Sequence, residues 1–147
     1  MVKVVNYWLC VTNEENWHVV RKHMIWGVSR RSRRQIQKVK IDDKLVFYVT
    51  PQTLGGIFVA ASAPFESEEQ IFNWGEFGRP EIFPYRIKLK PLILPEKPLR
   101  FKEVMKNLRF IPNKQMWSCY LRKAIRDIPK VDFELIYSMI RREKHES

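Results

Sequence analysis

A tryptophan just before a cluster of arginines is the feature of this sequence best suited to binding chemistry. Trp26 is followed by Gly27-Val28-Ser29 and then by four arginines: Arg30, Arg31, Arg33 and Arg34. An indole ring can stack on a nucleobase, and guanidinium groups beside it can hold phosphates. The pattern predicts a nucleic-acid site with Trp26 on a base and the arginines on the backbone. A core tryptophan next to a solvated basic helix face gives the same local pattern and stays an alternative.

Positive charge is unevenly distributed along the chain. The 147 residues include 27 Lys and Arg against 16 Asp and Glu, a net charge of +11. Nine of these basic residues lie between positions 21 and 44 and twelve between positions 86 and 126, whereas residues 66–81 contain five Glu and a single Arg. Segregated positive charge favours an anionic partner, and nucleic acid is the first candidate. A protein-interaction module that binds an acidic protein through the same basic face is the alternative.

No motif for catalysis or metal binding is recognisable. His18 and His23 are five residues apart, which places them on different faces of a helix, and Cys10 and Cys119 stand alone. No nucleophile elbow, phosphate loop, dinucleotide fingerprint or zinc-protease motif occurs. We therefore expect a binding protein without enzymatic activity, cofactor or metal. Nuclease or base-modifying chemistry is the enzymatic alternative.

The composition predicts one globular domain over residues 1–147. A hydrophobic content of 45% with 13% aromatics is ample for a single core at this length. No apolar run approaches the ~20 residues that a membrane-spanning helix needs, and the N-terminus lacks a signal-peptide pattern. We expect a cytoplasmic protein that does not bind membranes.

Hydrophobic periodicity predicts a mixture of strands and helices. The predicted elements are a strand over residues 4–10, a helix over 13–23, a short second helix that carries the arginines and includes Ile36, Val39 and Ile41, strands over 44–50, 57–62 and 83–89, a short helix over 101–107 and a terminal helix capped by Asp132. Gly55-Gly56 is predicted to lie in the hairpin connection between the second and third strands. Pro91, Pro95 and Pro98 predict a stiff surface crossing.

The predicted fold class is α+β, with a small, mostly antiparallel β-barrel flanked by helices. Alternating strands and helices are also typical of a parallel, doubly wound sheet. The predicted hairpin at Gly55-Gly56 and the short strands favour the antiparallel barrel instead.

Six short motifs follow one another along the chain: Asn6-Tyr7-Trp8-Leu9, Asn13 to Trp17, Trp26-Gly27-Val28, Asp43 to Tyr48, Gly55-Gly56-Ile57, and Asn113-Lys114 with Trp117. Their order and spacing resemble the EVE domain family over nearly the whole chain. The resemblance implies a PUA-like fold similar to that of YTH domains, which read N6-methyladenine. It also implies a pocket for a single, usually modified, base of RNA or DNA.

The resemblance further implies which residues form that pocket. Trp26 matches an aromatic wall that follows the first helix, and Asn13 and Asn16 match polar contacts to the base edge, although both also suit a helix cap and a helix surface. A second aromatic wall should come from the segment after the hairpin. Its candidates, with Trp74 preferred, are Phe72, Trp74 and Phe77.

Three residues outside these segments complete the predicted site. Lys114, in the loop motif near the C-terminal third, could bind a phosphate. Trp117 is either a pocket residue or a core anchor, and its helical surroundings favour the core. Tyr48, on the clearest predicted strand, lies either in the pocket or in the barrel wall, since its hydroxyl needs a polar partner in both places.

Overall fold

The computed structural model describes residues 4–72 and 82–146, without the side chains of 143–146. Over these residues the chain forms eight strands and four α-helices, besides short 3-10 turns. The strands are β1 (Tyr7–Asn13), β2 (Ile25–Val28), β3 (Lys44–Thr50), β4 (Thr53–Ala60), β5 (Phe65–Glu66), β6 (Tyr85–Ile93), β7 (Leu99–Arg100) and β8 (Ile125–Asp127). The helices are α1 (Glu14–His23), α2 (Arg33–Ile36), α3 (Phe101–Met105) and α4 (Lys130–Glu146). None of the helices in the described part is long and apolar enough to cross a bilayer.

The strands form one curled sheet in the order β2-β6-β4-β3-β1-β8, with β5 added beside β6 and β7 beside β4. Strands β1 and β3 are parallel, and the other described pairs are antiparallel. A parallel pair needs a crossover connection, which here contains α1, β2 and α2. The predicted α+β fold with a mostly antiparallel, barrel-like sheet is confirmed.

Both faces of the central strands are buried, so the sheet has a core on each side. On one side, which we call the first core, Phe47 contacts the rings of Trp17 and Trp26 at centroid distances of 5.2 and 5.5 Å. On the other side, the second core, Tyr48 packs edge-on against Phe101 at 5.0 Å. Adjacent residues of β3 face opposite cores because side chains alternate along a strand.

The prediction that Gly55-Gly56 lies in the hairpin connection is wrong. The chain turns at Pro51-Gln52, and both glycines lie inside β4. A Cβ atom on Gly55 would lie 2.7 Å from Cε2 and Cζ2 of Trp17, which is closer than packing allows. Gly55 is therefore required where the indole of α1 lies directly on the sheet, and this contact cannot be read from local sequence.

Two further predictions are wrong for similar reasons. Pro91 lies within β6, opposite Phe58 and next to an irregularity in the strand register, where a residue without an N–H is tolerated. Asp132 lies inside the first turn of α4 and does not precede it. Its carboxylate accepts hydrogen bonds from the backbone N–H groups of Arg109 and Phe110, at 2.8 and 2.9 Å. It therefore ties the helix to a neighbouring loop.

Replacing Gly55 by alanine should lower the free energy of unfolding by about 1–3 kcal/mol, because the added methyl overpacks the contact with Trp17. Urea unfolding followed by circular dichroism measures this change. In a Trp17→Phe background, which lacks the indole atoms that the new Cβ would meet, Gly55→Ala should cost less. An equal cost in both backgrounds would show that the indole contact does not require the glycine.

Candidate functional site

A pocket of about 700 Å³ opens where the parallel strands β1 and β3 end. Asn13, the last residue of β1, pairs with Thr50, the last residue of β3, and both line the pocket. Other lining residues come from residues 26–35 of the crossover, from Phe72 and Phe83, and from residues 122–125 at the start of β8. The volume falls in the range of about 300–1,000 Å³ that is usual for small-molecule sites.

Trp26 forms the buried floor of this pocket. Strand β2 pairs with β6 and directs Trp26 into the first core, where its ring meets Phe47 edge-on. Only 2% of Trp26 is exposed. The predicted stacking residue is therefore at the pocket and is at the same time a core residue, so both interpretations of the sequence describe part of its environment.

Two phenylalanines stand at the pocket beside Trp26. The rings of Phe72 and Phe83 meet edge-on, with centroids 5.7 Å apart. Phe72 was a sequence candidate, whereas Phe83 was predicted only as the start of a strand. Its backbone has a φ of 50°, a left-handed conformation that bulky residues seldom adopt. The preferred candidate Trp74, and Phe77, lie outside the described residues.

The backbone of β2 lies directly against this aromatic wall. A Cβ atom on Gly27 would lie 2.6 Å from the carbonyl oxygen of Phe83 and 3.0 Å from the Phe72 ring. A glycine next to Trp26 therefore allows the wall to approach the pocket floor. The glycine that follows Trp26 in the sequence is thus explained by the close approach of Phe72 and Phe83 to the β2 backbone.

Amide side chains provide the polar part of the lining. Asn13 is the N-cap of α1, and its Oδ1 accepts the backbone N–H of Asn16 at 2.8 Å. Both asparagines line the pocket. Gln35 lines it as well and was missed, because nothing in its spacing distinguishes it from other polar residues of the basic segment.

Four exposed cations lie around the pocket: Arg30, Arg31, Arg122 and Lys123. The first two belong to the predicted arginine cluster, in a 3-10 turn over Arg30–Ser32. The other two were missed individually, although they belong to the basic stretch between positions 86 and 126. None of the described lining residues is acidic, histidine or cysteine. The electrostatic potential at the pocket mouth is accordingly positive, which favours anionic ligands.

The remaining arginines of the cluster lie outside the pocket lining. The guanidinium of Arg33 lies over the ring of Tyr85, 5.4 Å from its centroid, and Arg34 is exposed on α2. Helix α2 ends at Ile36, shorter than predicted, and Ile41 is 49% exposed. Both arginines therefore lie near the site without lining it.

The structure does not bring Tyr48 and Trp117 to the pocket. Tyr48 faces the second core, on the opposite side of the sheet, where its hydroxyl accepts the backbone N–H of Gln52 at 3.0 Å. Burial raises the pKa of Tyr48, and the hydrogen bond from Gln52 partly offsets this. Trp117 packs against Phe101 in the same core, with centroids 5.7 Å apart.

Lys114 is also placed elsewhere. Its ammonium group donates hydrogen bonds to the backbone carbonyls of Met105 and Leu108, so it closes the loop after α3. Cys10 lies in the first core, where burial raises the pKa of its thiol. The described residues contain no group of three or more His, Cys, Asp or Glu arranged to hold a metal ion.

Structural comparison places this architecture among several solved proteins. The YTH domain of the Zygosaccharomyces rouxii MRB1 protein, solved in complex with N6-methyladenosine RNA, superposes with a TM-score of 0.68 at 14% identity, over 95% of this chain and 91% of that one. Human THYN1, solved in complex with DNA containing 5-methylcytosine, gives a TM-score of 0.63 at 11% identity, over 92% and 97%. At these identities the similarity concerns the fold.

Sequence comparison identifies the family. A UPF0310 protein of Pyrococcus abyssi is 39% identical over 146 residues, which cover 92% of this chain and all of that protein. The model of the EVE domain matches residues 6–139 of the chain. The protein therefore belongs to the EVE domain family.

Proposed function

We propose that the protein binds a modified base of RNA or DNA in the pocket and performs no chemistry on it. One observation carries this proposal: four exposed cations surround a pocket that has aromatic walls and no acidic side chain among its described lining residues. This combination suits a ligand that has an aromatic ring at its centre and negatively charged groups around it. A nucleotide within a strand has both properties.

Stacking on the aromatic walls supplies the first part of the binding energy. A base that leaves its stack loses a few kcal/mol, and stacking on an aromatic side chain returns ~1–3 kcal/mol. Stacking alone therefore roughly balances the cost. Phosphate contacts by Arg30, Arg31, Arg122 and Lys123 supply the remainder and make the affinity salt-dependent.

The amides of Asn13, Asn16 and Gln35 are suited to reading the edge of a base. An amide side chain both donates and accepts hydrogen bonds, so it can match the Watson–Crick edge of an exposed base. A methyl group on the base adds about 0.8 kcal/mol when buried, which is about a fourfold preference over the unmodified base. A larger preference requires that the unmodified base leave a buried polar group unsatisfied.

The comparisons support the same ligand class. Two proteins of the same fold, the MRB1 YTH domain and THYN1, are solved with a methylated base in RNA and in DNA respectively.

Replacing Trp26 by phenylalanine should abolish the preference for a modified base and weaken binding of the modified oligonucleotide about tenfold, because the smaller ring leaves a gap in the pocket floor on which the base packs. Anisotropy of labelled single-stranded RNA and DNA, with N6-methyladenine, 5-methylcytosine or no modification, measures both quantities. We choose phenylalanine because Trp26→Ala would cost about 3–5 kcal/mol of stability.

Trp17→Phe is the matched control, since Trp17 also packs on Phe47 in the first core but does not line the pocket. Its oligonucleotide preference should equal that of the wild type. Equal loss in both variants would assign the effect to core packing. Wild-type protein that binds polyglutamate as well as every oligonucleotide would favour the protein-interaction alternative.

Replacing Arg30 and Arg122 together by glutamine should weaken binding of modified and unmodified oligonucleotides alike. The slope of log K against log salt should become shallower by about 1.4, because two phosphate contacts on a single strand are lost. Titrations at several salt concentrations measure the slope. Arg109→Gln with Arg141→Gln removes the same charge from exposed positions outside the pocket lining and should leave the slope unchanged. A similar change in this control would indicate a diffuse charge effect.

A further inference from the structure

Arg86 is a buried cation that does not line the pocket. It lies on β6, between β2 and β5 in the register of the sheet, and only 1% of the residue is exposed. It is the one arginine or lysine among the buried residues of the described part. Such a group is costly to bury, so its hydrogen-bond partners must compensate for lost hydration.

The guanidinium of Arg86 bonds to backbone carbonyls from two separate stretches of chain. Its Nε donates to the carbonyl of Phe83 at 3.0 Å, and its Nη2 donates to the carbonyls of Ile82, at 2.9 Å, and Glu69. Burial lowers the pKa of Arg86, while the carboxylates of Glu69 and Glu68 raise it. A planar group with several donors in fixed directions is well suited to hold two stretches together.

The same guanidinium contacts the aromatic wall of the pocket. It lies over the Phe72 ring, 5.4 Å from the centroid, and it holds the carbonyl of Phe83, whose backbone is in the left-handed conformation. Gly27 is the register partner of Arg86 on β2, and a Cβ atom there would lie 3.1 Å from Cγ of Arg86 besides meeting Phe72 and Phe83. Phe72 and Phe83 thus pack against the Arg86 side chain and against the neighbouring β2 backbone at Gly27.

We propose that Arg86 is a positioning residue for base recognition: it holds Phe72 and Phe83 where a base must pack, without touching the ligand. This inference rests on the proposed function, because the wall is a recognition surface only if a base enters the pocket. Lysine keeps the charge but has a single nitrogen, so it cannot bond to both stretches in the same directions.

Two measurements on Arg86→Lys test the proposal. Amide hydrogen exchange of the unliganded protein should become faster in residues 67–72 and in Ile82 and Phe83, because these stretches lose their common partner. The affinity ratio between methylated and unmodified oligonucleotides should fall to about one, with binding of the methylated oligonucleotide about tenfold weaker. The salt slope should not change, because the phosphate-binding cations remain in place.

Arg126→Lys is the matched control. The Arg126 guanidinium also lies over a ring, that of Phe110 at 4.7 Å, and also donates to backbone carbonyls, but it does not line or support the pocket wall. In Arg126→Lys, amide hydrogen exchange of the two stretches that Arg86 holds should equal that of the wild type. The affinity ratio between methylated and unmodified oligonucleotides should also be unchanged. If Arg86→Lys does not fold, Gly27→Ala displaces the same wall, because the added methyl would lie 2.6 Å from the Phe83 carbonyl oxygen and 3.0 Å from the Phe72 ring, and it should also abolish the preference.

The outcomes separate the two proposals. Wild-type protein without any preference for a methylated base would overturn the proposed function, whatever the exchange data show. Unchanged exchange in Arg86→Lys would overturn the positioning role, even if the wild type is selective. Faster exchange in Arg86→Lys with an unchanged affinity ratio would show that the wall position does not determine recognition. A displaced wall in Gly27→Ala with full preference for the methylated base would show the same.

Discussion

The register between the parallel strands β1 and β3 is the constraint on which the site depends. No hairpin turn can set this register, because parallel strands are joined by a crossover. The buried carboxylate of Asp43 sets it at the amino ends by accepting the backbone N–H groups of Asn6 and Lys40 and the indole N–H of Trp8, at 2.9–3.0 Å. The opposite ends of the two strands consequently meet, and the pocket opens there.

The crossover and the second edge of the sheet add the rest of the site to this scaffold. Helix α1 begins at the end of β1, β2 brings Trp26 across to β6, and the 3-10 turn after β2 presents Arg30 and Arg31. Strand β8 pairs with β1, and the bond from Val11 N–H to the Ala124 carbonyl, 2.8 Å, brings the 122–124 segment to the pocket. A buried floor fixed by the core thus lies below a rim of loop residues, an arrangement typical of binding sites on rigid scaffolds.

Features determined by neighbouring residues were predictable, and features determined by distant contacts were not. Helix α1, strand β3 and the asparagines where β1 passes into α1 follow from periodicity and capping chemistry, because the relevant residues are close in sequence. The strand position of Gly55 depends on an indole from α1, and the pocket position of Arg122 depends on β8 pairing with β1. Arg86 resembles every other basic residue in the sequence, because only the carbonyls around it make it a buried anchor.

The pocket is assembled from stretches of chain that are far apart in the sequence, between positions 11 and 125. An unfolded chain cannot hold a ligand at such a site, so a bound ligand stabilises only the native state. Each tenfold rise in ligand concentration above Kd then adds about 1.4 kcal/mol to the free energy of unfolding. Domains are stable by only about 5–15 kcal/mol, and degradation acts on the unfolded fraction. The cellular lifetime of the protein would consequently increase with the abundance of its ligand.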